Sequence, residues 1–219
     1  MITSKSEICN MALAILGNKT NSVNDIDTPS TDIERAFSVF YDNSRQSLLK
    51  MTMPNFALTR DKSALLTTTQ SFGYKYSYQY PKDCLKLLGV GNVQDKENFY
   101  SIEDGSINCD DLYEDGLPIR YIKDYTDVST FTPDFKSLLA WTLANDVALI
   151  VTQSESKAQY IASLMPIKMA TLGSLNAQEN VPIRKSISKF KASKFTDHPN
   201  TAVKKWEYQQ VIITFLGQN

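Results

Sequence analysis

Residues 73–80 read Gly73-Tyr74-Lys75-Tyr76-Ser77-Tyr78-Gln79-Tyr80, with an aromatic ring at every second position from 74 to 80. A period of two with aromatic enrichment predicts a β-strand, because successive side chains of a strand point to opposite faces. Pro81 interrupts the run, and Leu85 to Val93 reads as a second short strand. Further short segments lie at Phe99–Ile102, Ser106–Cys109 and Ile119–Tyr121, punctuated by Asp104-Gly105 and Asp115-Gly116. Such Asp-Gly pairs supply the positive φ of tight turns. The middle of the chain therefore predicts a small antiparallel sheet or barrel.

On both sides the periodicity changes to that of helices. Ser4 and Glu7 form an S-x-x-E capping box ahead of Ile8, Met11, Ala12 and Ile15, and Gly17 suits the left-handed position that ends a helix. Asn18 to Asp27 reads as a polar loop. Thr31 and Glu34 repeat the capping box before Ile33, Ala36, Phe37, Phe40, Tyr41, Ser44 and Leu48, and Pro54 closes that segment. After the β region, Thr132-Pro133-Asp134 opens a third helix with the stripe Phe135, Leu138, Leu139, Thr142, Leu143, Val147 and Ile150. A fourth runs to about Gln178 with Ala158, Ile161, Ala162 and Leu164 or Met165 inward, and Pro166 is expected to kink or split it. The expected fold is α+β: a discontinuous bundle of about four helices (1–66 and 126–178), an inserted small antiparallel β domain (67–125) and an extended C-terminal arm (179–219).

Composition narrows the function classes. The 219 residues carry 23 Lys and Arg against 24 Asp and Glu, so net charge gives no reason to expect a nucleic-acid or membrane partner. No run of 18 apolar residues occurs, and Met1–Glu7 lacks the apolar core of a signal peptide. Three widely spaced cysteines, Cys9, Cys84 and Cys109, fit buried small hydrophobes better than a disulfide framework.

Catalytic chemistry finds little to work with. The one histidine is His198, and there is no C-x-x-C pair, no G-x-S-x-G elbow and no phosphate-binding P-loop. Gly89-Val90-Gly91 is a lone G-x-G. No cofactor, metal or catalytic residue is assigned. The carboxylates Glu103, Asp104, Asp110, Asp111 and Glu114 remain as the candidates for a polysaccharide hydrolase, which needs two acids facing one cleft.

The C-terminal segment is the most unusual part. Between Val181 and Lys205 lie seven cations, Arg184, Lys185, Lys189, Lys191, Lys194, Lys204 and Lys205, against the single acid Asp197. Phe190, Phe195 and Trp206 interleave with them. A solvated arm, a phosphate-binding segment and a protein-docking segment are all open readings. Docking is favoured, since aromatics anchor interfaces while charges fix register. Forty extended residues reach on the order of 130 Å. Loss of periodicity after Glu179 and the prolines at 182 and 199 suggest an arm that orders on a partner, hinged at 176–182.

Three segments carry a resemblance. Glu7-Ile8-Cys9-Asn10-Met11-Ala12-Leu13-Ala14-Ile15-Leu16-Gly17 resembles the N-terminus of the tail tubular protein A family, the head-to-tail adaptors of short-tailed bacteriophages. The likeness continues through Ala36, Phe40-Tyr41-Asp42, Arg45, Leu48-Leu49, Asn55-Phe56-Ala57 and Arg60, and then Tyr78-Gln79-Tyr80-Pro81-Lys82-Asp83-Cys84-Leu85. Met53-Pro54 departs from the family's Trp-Pro-like pair, and the last 40 residues match least. The resemblance implies a non-enzymatic virion protein, assembled in the host cytoplasm. It implies a dodecameric ring between the portal protein and the tail nozzle protein, around a channel for genomic DNA, with transient non-specific DNA contact. It also implies that the arm residues 184–206 named above dock on the portal.

Overall fold

The computed structural model describes residues 3–18, 20–67, 71–91 and 100–179. Its helices are α1 (Lys5–Ile15), α2 (Asp32–Thr52), α3 (Pro133–Thr152) and α4 (Glu155–Glu179). Its strands are β1 (Leu58–Ser63), β2 (Tyr76–Gln79), β3 (Cys84–Val90), β4 (Tyr100–Glu103), β5 (Ser106–Cys109) and β6 (Leu117–Lys123). The class is α+β, with two antiparallel three-stranded sheets ordered β1-β6-β3 and β2-β5-β4. The C-terminal arm lies outside the described residues.

The helix ends form as their sequences require. Ser4 caps α1, its hydroxyl accepting from the Glu7 N–H while the Glu7 carboxylate accepts from the Ser4 N–H. At the other end Gly17, at φ 72°, donates to Ala14 and Asn18 donates to Leu13, satisfying carbonyls that α1 leaves open. Met53 ends α2 in the left-handed conformation before Pro54. The hairpin β4–β5 turns through Asp104 and Gly105, both at positive φ, as a two-residue connection demands.

Glu34 does more than cap α2. Its carboxylate is buried and accepts from the N–H groups of Asn24, Ser30 and Thr31 and from the Ser30 hydroxyl, at 2.8–3.0 Å. Asn10 holds the same loop by exchanging two 2.8 Å hydrogen bonds with the Val23 backbone. The polar 18–27 loop thereby sends Val23 and Ile26 into the core.

α3 packs on α1, α2 and α4 and is the central helix. By length and composition alone it could cross a membrane, yet half of that stretch is buried inside the protein. Its stripe follows the expected positions to Val147 and then turns toward Ala144 and Ala148, leaving Leu149 and Ile150 exposed. α4 is not split at Pro166. The proline removes the donor for the Ala162 carbonyl, and residue 162 is exposed, so water can serve it. That exposure also corrects the expected inward placement of Ala162.

The β region starts earlier than the expected boundary at 67. The Leu58–Ser63 segment, dominated by Thr, Arg, Asp and Lys, lacks an apolar alternation, but it pairs in full register along β6 from Leu58–Ile122 to Ser63–Leu117. β6 separates two cores. Leu117, Ile119 and Tyr121 meet Tyr78, Ile107 and Cys109 of the second sheet. Ile122 faces the helical core together with Leu58, Leu85 and Leu88. The helices and the sheets thus share a central strand.

The hydrogen bonds that Glu34 accepts, the one from Asn24 first, hold its carboxyl well below the usual carboxylate range. A depressed carboxyl contributes stability above its unfolded pKa, near 4.3, and loses it as pH falls through the folded value. E34Q should therefore melt ~5 °C lower than the parent at neutral pH, with the gap closing as pH drops below about 4. Thermal melts by circular dichroism across that range check this; a gap independent of pH would contradict it.

Candidate interaction surfaces

Several residues of the resemblance segments turn inward, whereas Arg60 of the same stretch is exposed. Arg45 is only 2 % exposed. Its Nη1 donates to Asp124 and, at 2.5 Å, to the Tyr125 carbonyl, and its Nε and Nη2 reach Asp42 at 3.3 and 3.1 Å. Gln46 Nε2 donates to the other Asp124 oxygen at 2.9 Å. Asp83 pairs with Lys123 at 2.9 Å and accepts from the Tyr121 hydroxyl at 3.2 Å. Lys123 and these hydrogen bonds lower the Asp83 carboxyl. Phe56 stacks edge-on with Phe135 and Tyr125 and packs beside Phe131.

Burial disfavours the thiolate form of the cysteines. Cys9, Cys84 and Cys109 are free, and burial raises all three, Cys9 to about 12. A raised thiol is a poor nucleophile. Among the described residues no three His, Cys, Asp or Glu side chains form a metal-binding group.

The acidic candidates fall into two groups. Glu103 and Asp104 sit at the turn end of β4–β5, whereas Asp110 and Asp111 follow the far end of β5. A four-residue strand separates the two groups by on the order of 10 Å. Each of these acids and Glu114 is exposed, and Asp110 accepts from the Lys75 N–H at 3.3 Å. The arm candidates Arg184, Lys185, Lys189, Phe190, Lys191, Lys194, Phe195, Lys204, Lys205 and Trp206, and His198 with them, lie outside the described residues.

Sequence reasoning missed a basic cleft of about 410 Å³ on the first sheet, lined by Arg60, Asp61, Lys62, Gly91, Pro118, Ile119 and Arg120. Arg60 and Arg120 are directly opposite in the β1–β6 ladder. They lie two residues beyond Leu58 and Ile122, hence on the same face, where the helices no longer cover the sheet. No hydrogen bond or ion pair engages the side chain of Arg60, Lys62 or Arg120 among the described residues. The signal was the i, i+2 spacing of Arg60 and Lys62, readable only once Leu58–Ser63 is taken as a strand.

A second exposed feature is apolar. Leu149 and Ile150 at the end of α3, with Tyr160 and Ile167 on α4, are each more than half exposed. No protein-family model matches the chain, and no curated protein matches it either.

Like charges facing across an antiparallel pair are destabilising. R120T should raise stability by up to about 1 kcal/mol at low ionic strength, the gain shrinking as salt screens the pair. Urea denaturation at two salt concentrations measures it, and a loss of stability at low salt would show that Arg120 has a favourable partner.

Proposed function

We propose that this chain is a virion structural protein, the subunit of a head-to-tail adaptor ring in a short-tailed bacteriophage. On this reading it seats on the portal, receives the tail nozzle on its other face, and forms part of the DNA channel. It assembles in the host cytoplasm, needs no cofactor and catalyses no reaction. Twelve copies and a portal-docking arm follow from the same resemblance.

The observation that carries the reading is where two of the resemblance segments meet. Arg45 and Phe56, from the second segment, and Asp83 and Cys84, from the third, gather at the end of β6. Arg45 donates to Asp124, and the Asp124 N–H donates to the Asp83 carbonyl at 2.8 Å. That these residues, far apart in sequence, build one junction around buried Arg45 supports a likeness of fold. Exposed Leu149, Ile150, Tyr160 and Ile167 further support a subunit that buries apolar surface against neighbours.

A DNA-binding module using the basic C-terminal arm is the second reading; the arm lies outside the described residues, and the basic cleft offers nucleic acid a separate surface. Of the hydrolase reading's carboxylates, Glu103 and Asp104 lie before β5 and Asp110, Asp111 and Glu114 after it.

Mixing the purified chain with the portal protein of the same phage and imaging by cryo-electron microscopy tests the adaptor. The expected result is a closed ring of this chain on the portal, with residues 180–219 running along it. A chain that stays monomeric and leaves the portal bare overturns the reading.

A further inference from the structure

We infer that Arg60, Lys62 and Arg120 form a contact site for the phosphodiester backbone of nucleic acid. Arg60 and Arg120 are register partners on one face of β1 and β6, and Lys62 continues the row two residues on. None has an anionic partner among the described residues. Cross-strand Arg pairs cost stability. An anion lying between them removes that cost and takes up the donors.

The geometry selects the kind of anion. The guanidinium fork matches phosphate oxygens. The cations are strung along strands instead of converging, and Arg60 and Lys62 are exposed. An enclosed site for a single phosphate would draw on backbone N–H donors at a helix N-terminus or a glycine-rich turn. Here Gly89, opposite Arg120, has nothing within 4 Å of where its Cβ would stand, so the space beside the arginine is open. A linear polyanion can lie along such a surface.

Two acidic features limit the affinity. Asp61 also lines the cleft, although its register partner Ile119 points into the sheet core and its Oδ1 accepts from the Lys62 N–H at 2.8 Å. The acidic turn ending at Gly116 comes close to Lys62, since a Cβ on Gly116 would stand 3.2 Å from the Lys62 Cβ. The contact is therefore weak, sequence-independent and salt-sensitive. It does not depend on the adaptor reading: a chain that ignores the portal can still bind DNA here, and a ring can form without it.

The test compares the full chain with R60Q/K62Q/R120Q, using fluorescence anisotropy of a short labelled DNA duplex over a salt series. Each phosphate contact contributes about 0.9 to the log–log salt slope, so the variant should lose a slope of about 2 to 3 and bind ~10-fold more weakly at low salt. R60K/R120K, which keeps the charge, should retain the slope. Circular dichroism melts of both variants establish that they fold. Equal affinity and slope in parent and glutamine variant overturn the proposal. So does a variant that loses binding to labelled polyglutamate but not to DNA, which would assign the cleft to an acidic protein. Stabilisation of the parent alone by inorganic phosphate, with DNA binding unchanged, would assign it to a free phosphate and equally overturn the nucleic-acid contact.

Discussion

A guanidinium group in the protein interior imposes the constraint on which the rest of the structure depends. Arg45 leaves α2 and ends among Asp124, Asp42 and the Tyr125 carbonyl, almost wholly out of water. A buried charge is tolerated only while every partner is in place; removing one leaves an uncompensated ion at a cost of roughly 3–5 kcal/mol. Asp124 directly follows β6, the strand that both cores share, and its N–H is bound to the chain just before β3. Satisfying Arg45 therefore fixes α2 against the sheet. Ser44 adds a bond to Asp146 on α3, so adjacent residues of α2 tie it to its two neighbours.

Around that junction the apolar packing follows. Phe56, Tyr125, Phe131 and Phe135 close over the short connections that lead into and out of the β region. Ile122 joins the helical core while Tyr121, its neighbour, belongs to the other. The alternation of one strand thus distributes two cores. It also determines what is left outside: past Leu58 and Ile122 the same face carries exposed Arg60 and half-buried Arg120. The basic cleft is a consequence of how far the helices extend over the sheet.

Much of this was legible in the sequence, for physical reasons that differ by element. The two capping boxes marked α1 and α2 because Ser4–Glu7 and Thr31–Glu34 satisfy orphan donors by local contacts alone. The aromatic alternation at 74–80 announced β2, and Asp104-Gly105 announced the β4–β5 hairpin. β1 escaped because a strand rich in Thr, Arg, Asp and Lys carries no hydrophobic period; its pairing with β6 is a tertiary fact. The cleft escaped with it. Arg45 stands out in the sequence only as a point of resemblance, and its burial cannot be read from one sequence, since its main partner stands 79 residues away. Pro166 inside α4 and exposed Ile150 show the converse, where a local rule is overridden by solvent access and by the direction of packing.

The claim that Arg45 and Asp124 join the helices and the sheets into one cooperative unit is tested most directly by a double-mutant cycle with R45M, D124N and the combined variant, followed by urea unfolding. The account predicts that each single change is strongly destabilising and that the double variant falls short of their sum by about 2 kcal/mol or more, within a single transition. Additive losses, or a β region that unfolds independently of the helices in the parent chain, would contradict it.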